Sequence, residues 1–398
     1  MKILVLAIAS LTAMGCEAQK SETPSILDRG AGDLHGDGSV SDQDTDGPQA
    51  MIRGRFESAG PVKSCGEIVD TTGPDGLLLR PKMNTCGDDI AALASTIVAN
   101  LDHAAQRGKR VLLVIGQGIN LPQSWLARCK TYRLDDPRFS GELCLPWDAN
   151  YLADLRRALV ETIGPAVAGH AALAGVYFTI TTMTNGAEFH FRVAKSAFPY
   201  PGDATFRGAY EKVMDLFQQA FSVPVVFEAG HCPFSDSPDC EAPLALYRYT
   251  RDTYGKAKAG IALWNCAERF WAGQGAGMDT FGVKTLIEEA TSDGVSIGCQ
   301  TVGSFTRGAC RFSSNEVGSY GDRAGLTGDN CDEADPTFDP EGACVDTLNW
   351  FTGASQKHGS SVTIRGTWGE LWSRDLATDG VYHTSAACRA AVDRLSLP

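Results

Sequence analysis

From residue 51 onward, short unbroken apolar runs alternate with longer stretches in which apolar residues return every three or four positions. The short runs read as strands buried on both faces, and the longer stretches as helices with one packed face. Leu77-Leu78-Leu79, set off by Pro74-Asp75-Gly76, is such a run, and residues 52–56 supply an opening strand before it. Ile90, Leu93, Ile97 and Leu101 fall on one helical face, with Asp88 and Asp89 as N-terminal caps and Gly108 as the stop. Further strands are predicted over 111–115, 176–180, 223–227, 261–264, 295–299 and 362–364. Helical spacing separates most of them, at 152–163, 210–217, 247–254, 283–290 and around Leu348 and Trp350.

Eight buried strands joined mostly by helices imply an α/β protein with a parallel sheet covered on both faces. Residues 51–398 are long enough for a (β/α)8 TIM barrel, a single domain with long disulfide-pinned loops. An open doubly wound sheet is the alternative, but it would normally carry a Gly-rich phosphate loop after its first strand. Gly116-Gln117-Gly118 is too short a match for one. No internal repeat or Pro/Ser-rich linker divides the region, and the polar stretch from Ser304 to Asp339 reads as a loop pinned by Cys310 and Cys331.

The first 50 residues are of another kind. Lys2 precedes an apolar run over 3–14, followed by Gly15-Cys16, the layout of an export signal too short for a permanent span. It resembles a bacterial lipoprotein signal over residues 1–16, in which Cys16 would carry the lipid. Ala13 stands where that motif usually has Leu. Residues 17–50 are rich in Asp, Ser, Gly and Thr and read as a disordered linker.

Composition narrows the partners. A formal net charge of −13 argues against nucleic acid and against an anionic membrane surface, leaving membrane contact to the N-terminal lipid alone. Thirteen cysteines suit an exported, oxidised chain, and setting Cys16 aside leaves twelve. Short separations favour the pairs Cys129–Cys144 and Cys232–Cys240, then Cys65–Cys86 and Cys310–Cys331. Neither C-x-x-C nor H-x-x-x-H occurs, so no zinc site and no cofactor are expected, and a monomer is expected.

Catalytic groups of such barrels lie at the C-terminal strand ends. The polar residues expected there are Gln117, Asn120 and Trp125; Thr182, Asn185, Glu188 and His190; Glu228 and His231; Asn265, Glu268 and Trp271; Gln300 and Ser304; and Trp368, Glu370, Trp372 and Asp375. The set shows no Ser–His–Asp signature, which speaks against an esterase of the α/β-hydrolase kind. Carboxylates, amides and tryptophans are what sugar chemistry uses: aromatic faces stack on C–H faces, and paired acids cleave the glycosidic bond.

Three segments carry a resemblance. Gly108 to Ile115 with Pro122 and Trp125-Leu126, Pro146-Trp147-Asp148 with Tyr151 and Leu152, and Thr184-Asn185-Gly186-Ala187-Glu188 resemble the barrel glycoside hydrolases of the large β-galactosidase and cellulase clan. The resemblance implies Glu188 as acid/base and Asn185 as a sugar-binding amide. Two departures stand out: two residues separate Asn185 from Glu188, and Gln300 falls where the clan's nucleophilic Glu is expected. An amide cannot form the glycosyl ester. The partner carboxylate is therefore sought at Glu370, between Trp368 and Trp372, then at Glu228, then at Glu268. Asn185, Gln300, His190, Trp271, Trp368 and Trp372 would hold the carbohydrate. The alternative is a barrel that binds carbohydrate at the cell surface without cutting it; a purely structural surface lipoprotein is a third reading.

Overall fold

Eight parallel strands close into a barrel in the computed structural model of the chain. It describes residues 51–396 except 136–139, 181–190, 192, 230–232, 235–241, 264–281, 301–338, 358 and 361. In chain order the strands are β1 (Gly54–Ser58), β2 (Gly76–Leu79), β3 (Arg110–Val114), β4 (Thr131–Asp135), β5 (Ser140–Cys144), β6 (Leu173–Tyr177), β7 (Val225–Ala229), β8 (Ala259–Leu263), β9 (Ser296–Gln300) and β10 (Trp368–Trp372). The ring runs β1-β10-β9-β8-β7-β6-β3-β2, and β4 and β5 form a separate antiparallel hairpin. Its register sets Phe56 and Gln300 opposite Glu370, and Trp368 opposite Gly298.

The last strand is not where apolar patterning predicts it. Val362 and Ile364 are buried, but they lead up to the barrel instead of belonging to its ladder. The chain between them and β10 is held from both sides: Gly366 N–H donates to Phe351 C=O at 2.7 Å and Thr367 N–H to Ile297 C=O at 2.7 Å. Alternating apolar residues mimic a strand there, while the true strand, Trp-Gly-Glu-Leu-Trp, has a carboxylate on its inner face. Glu228, Gln300, Trp368, Glu370 and Trp372 accordingly lie on strands, not in the loops after them.

Alternation along each strand makes two cores. Ile52, Phe56, Leu78, Leu112, Val114, Tyr177, Val226, Ala262 and Trp368 fill the barrel interior. The other strand faces pack against a helical layer. The layer consists of α1 (Ile90–Gln106), α2 (Ala149–Arg156), α3 (Asp203–Ala220), α4 (Ala242–Tyr254), α5 (Val283–Asp293), α6 (Pro340–Phe351) and α7 (Ala386–Asp393). The caps act as the sequence suggests: the Asp89 carboxylate accepts from Ala92 N–H at 2.9 Å, and Gly108 takes φ 65° just beyond α1. Gly298 has a different reason to be glycine. A Cβ there would lie 1.9 Å from the Trp368 ring, so only glycine leaves room for the indole.

Disulfides join Cys65 to Cys86 and Cys129 to Cys144, the latter closing the base of the β4–β5 hairpin. A third joins Cys344 on α6 to Cys388 on α7, 44 residues apart, a pair that a preference for short separations passes over. Cys299 on β9 is disulfide-bonded as well. The pairs Cys232–Cys240 and Cys310–Cys331, like Cys16 and the N-terminal segment, lie outside the described residues. No helix among the described residues is long and apolar enough to cross a membrane.

Candidate active site

Phe56, Val226 and Trp368 belong to the interior plug, so the residues two positions further along the same strands share their face. Those residues are Ser58, Glu228 and Glu370, one layer nearer the C-terminal mouth, and the same count from Gly298 adds Gln300. Glu228 and Glu370 are 3% and 2% exposed. Two carboxylates buried on the inner wall of a barrel carry a large desolvation cost unless polar partners surround them.

Those partners are visible around Glu370. Its Oε1 accepts from the Ser58 hydroxyl and, at 3.1 Å, from Gln300 Nε2. Arg80, directly after β2, donates from Nη2 to Ser58 Oγ at 3.3 Å. The same guanidinium holds Ala59 C=O from Nε at 3.1 Å and from Nη2 at 2.6 Å, which fixes it to the end of β1. Arg80, Ser58 and Glu370 therefore form one hydrogen-bonded chain across three strand ends, and Gln300 closes it from β9.

Tyr177 ties Glu228 to the same place. Burial pushes its phenol well above the ordinary tyrosine pKa, and the nearby charge of Glu370 pushes it further. Arg80 acts in the opposite sense, and Glu228 adds to the rise. Both carboxylates thus act electrostatically on one phenol. Below them, the Trp368 ring meets Tyr177 edge-on at 5.8 Å and Phe56 at 6.2 Å. Such an arrangement offers acid, base and hydrogen-bonding groups over an aromatic floor.

The other expected site residues fall differently. Trp368 has no exposed surface and fills the plug, so no stacking face is open on it in this structure. Trp372, at the outer end of β10, is 38% exposed and does present a ring at the rim. Trp125 is buried in the helical layer. Gln117 is committed internally: its amide donates to Thr179 C=O and Oγ1, both at 2.9 Å, and its oxygen accepts from Tyr151 at 2.6 Å. Asn120 donates to the Gln117 C=O at 3.1 Å. Asp375 is buried just past β10. Asn185, Glu188, His190, His231, Asn265, Glu268, Trp271 and Ser304 lie outside the described residues.

Three members of the cluster, Ser58, Arg80 and Tyr177, were not anticipated. Tyr177 sits in an apolar run and reads as core; Arg80 directly after Leu77-Leu78-Leu79 is a signal that could have been used. Another buried acid, Glu57, faces away from the interior. Burial alone would raise its pKa, but hydrogen bonds from Ser373, Thr71 and the Thr72 and Gly73 backbone outweigh that and lower it. It anchors the loop before β2 and takes no part in the mouth. Among the described residues, no group of three or more His, Cys, Asp or Glu is arranged to hold a metal ion.

No protein-family model matches the chain, and no curated protein matches it. Among solved structures it is similar to one titled "Structure of GH113 beta-1,4-mannanase", with 12% identity, a TM-score of 0.36, and coverage of 87% of this chain and 86% of that one. The likeness is loose, and the barrel is established here by its own strand pairing.

Proposed function

We propose that the chain is an exported glycoside hydrolase that cleaves a glycosidic bond with carboxylates at the barrel mouth. The observation that carries this reading is the pair of carboxylates, Glu370 and Glu228, buried on the inner face of the barrel strands one layer above an aromatic floor. In the reaction, one carboxylic acid protonates the leaving oxygen while a carboxylate attacks the anomeric carbon or activates water. Glu188 is assigned the acid/base role, Glu370 that of the partner carboxylate, and Glu228 is the second choice for partner. The donors on Glu370 orient its oxygens, and Gln300, an amide that cannot form the ester, serves by holding Glu370. Asn185, His190, Trp271 and the rim ring of Trp372 are assigned to sugar binding.

In the same reading, residues 1–16 are the export signal, Cys16 carries the lipid, and residues 17–50 tether the barrel. Disulfides among the described residues suit an oxidising compartment. A second reading, capture of carbohydrate without cleavage, is favoured by Gln300 alone. Hydrolysis of a panel of aryl glycosides and oligosaccharides by the wild type and by Glu188→Gln, Glu370→Gln and Glu228→Gln separates the two. Cleavage by the wild type that is lost in Glu188→Gln and Glu370→Gln supports the enzyme. Binding with no cleavage of any substrate supports capture, and neither binding nor cleavage rejects both.

A further inference from the structure

The first turns of α3 and α4, with the segments leading into them, line a cavity of about 360 Å3. No strand residue lines it, so it lies outside the barrel ring. Both helices start where strands end, which puts the cavity at the same end of the barrel as the mouth. Its apolar lining includes Phe206, Tyr210, Phe234 and Leu246, all buried. These rings are held in place by their neighbours. Phe234 stacks on Phe191 at 5.4 Å and meets Phe206 at 5.4 Å, and the Pro233 C=O accepts from Phe191 N–H at 2.7 Å. The polar lining is of both signs. Lys195 Nζ lies 4.1 Å from the centre of the Tyr200 ring and donates to Asp203 at 3.1 Å, while Arg207 and Glu211 stand one turn apart on α3.

We propose that this cavity is an accessory carbohydrate site, which holds a length of a neutral polysaccharide whose reacting bond lies at the mouth. This rests on the glycan reading of the mouth and adds that the substrate is a polymer. The lining selects the ligand class. An anion would meet Asp203 and Glu211, a cation would meet Lys195 and Arg207, and a wholly apolar molecule would take all four from water with nothing in return. A sugar ring meets every demand: its C–H face lies on the apolar lining, and its hydroxyls donate to the acids and accept from the cations. The mouth is near. Pro233, in the cavity wall, follows Glu228 by five residues, so at most roughly 18 Å separates the two.

The test compares the full-length wild type with the double variant Arg207→Ala/Glu211→Ala and with Ala242→Trp, which fills the cavity from its α4 wall. Each is titrated with soluble glucan, mannan, xylan and galactan, and assayed on the matching short aryl glycosides. The expected result is about tenfold weaker binding, in both variants, of the polysaccharide that the wild type takes, the size of one lost hydrogen bond. Turnover of the short aryl glycoside should be unchanged. Polysaccharide binding at the wild-type level in the double variant overturns the accessory site and leaves the mouth reading standing. An equal loss on polymer and aryl glycoside also overturns it, because the damage would then not be confined to a separate site. A wild type that cleaves aryl glycosides but binds none of the polymers overturns it too. A wild type that neither binds nor cleaves anything on the panel overturns the glycan reading, and the accessory site falls with it.

Discussion

Two polar groups in this barrel, around Gln117 and around Glu370, are both buried and are held in different ways. Beside the end of β3, Gln117 uses its amide N–H on Thr179 and its oxygen on Tyr151, and Thr179 in turn donates to Ile115 C=O at 2.8 Å. At the C-terminal mouth, Glu370 Oε1 accepts from the Ser58 hydroxyl and, at 3.1 Å, from Gln300 Nε2, while Arg80 donates to Ser58 Oγ at 3.3 Å. The first network closes on itself and stabilises the wall. The second gathers groups from three strand ends around a carboxylate at the mouth. Burial alone does not separate a structural polar residue from a working one; where its hydrogen bonds go does.

The sharpest way to break this contrast is to neutralise the mouth. Glu370→Gln is expected to lower turnover roughly a hundredfold or more, the usual scale for losing a positioned acid or base, with little change in melting temperature. Steady-state kinetics on a sugar that the wild type cleaves would check this. Next in size is the plug beneath. Gly298→Ala drives a methyl into the Trp368 ring and should cost about 1–3 kcal/mol in urea unfolding, the usual range for overpacking. Gln117→Ala probes the closed network. It strands the Tyr151 hydroxyl and the Thr179 carbonyl and should cost a comparable ~1–3 kcal/mol. Sugar affinity should be unchanged.

The smallest effect lies on the outer wall. Arg55 grips Asp75 with Nε at 2.8 Å and Nη2 at 3.0 Å, and Ser396 Oγ adds a contact at 2.7 Å. Burial alone would raise the Asp75 pKa, but these bonds and the Arg55 charge bring it down to about 2 from 3.8. A carboxyl whose pKa is lower in the folded chain stabilises it fully above pH ~4, and that contribution fades as pH falls toward 2. Asp75→Asn should remove on the order of 1 kcal/mol of this acid-side dependence, read as a flatter melting temperature between pH 5 and 2.

Much of the barrel was legible because buried parallel strands are continuous apolar runs, as in Leu77-Leu78-Leu79 and residues 111–115. The eighth strand escaped for a physical reason. Its inner face carries Glu370, a functional polar residue, while Val362 and Ile364 just before it imitate a strand's alternation. The β4–β5 hairpin was missed because only Leu134, Leu143 and Cys144 of its ten residues are buried, too few for a periodic signal. Glu228 and Glu370 could be picked out as acids ending or following apolar runs. Ser58 and Tyr177 could not, because a serine at a strand end and a tyrosine within one are ordinary in a sequence; their meaning comes from the ring closure that faces β1 and β6 toward β10.

The most direct measurement is hydrolysis of a neutral oligosaccharide panel by the wild type alongside Glu370→Gln. Cleavage of at least one substrate by the wild type, with a loss of roughly a hundredfold or more in the variant at equal stability, is the predicted result. A variant that cleaves as fast as the wild type would contradict the assignment of Glu370 to the working mouth.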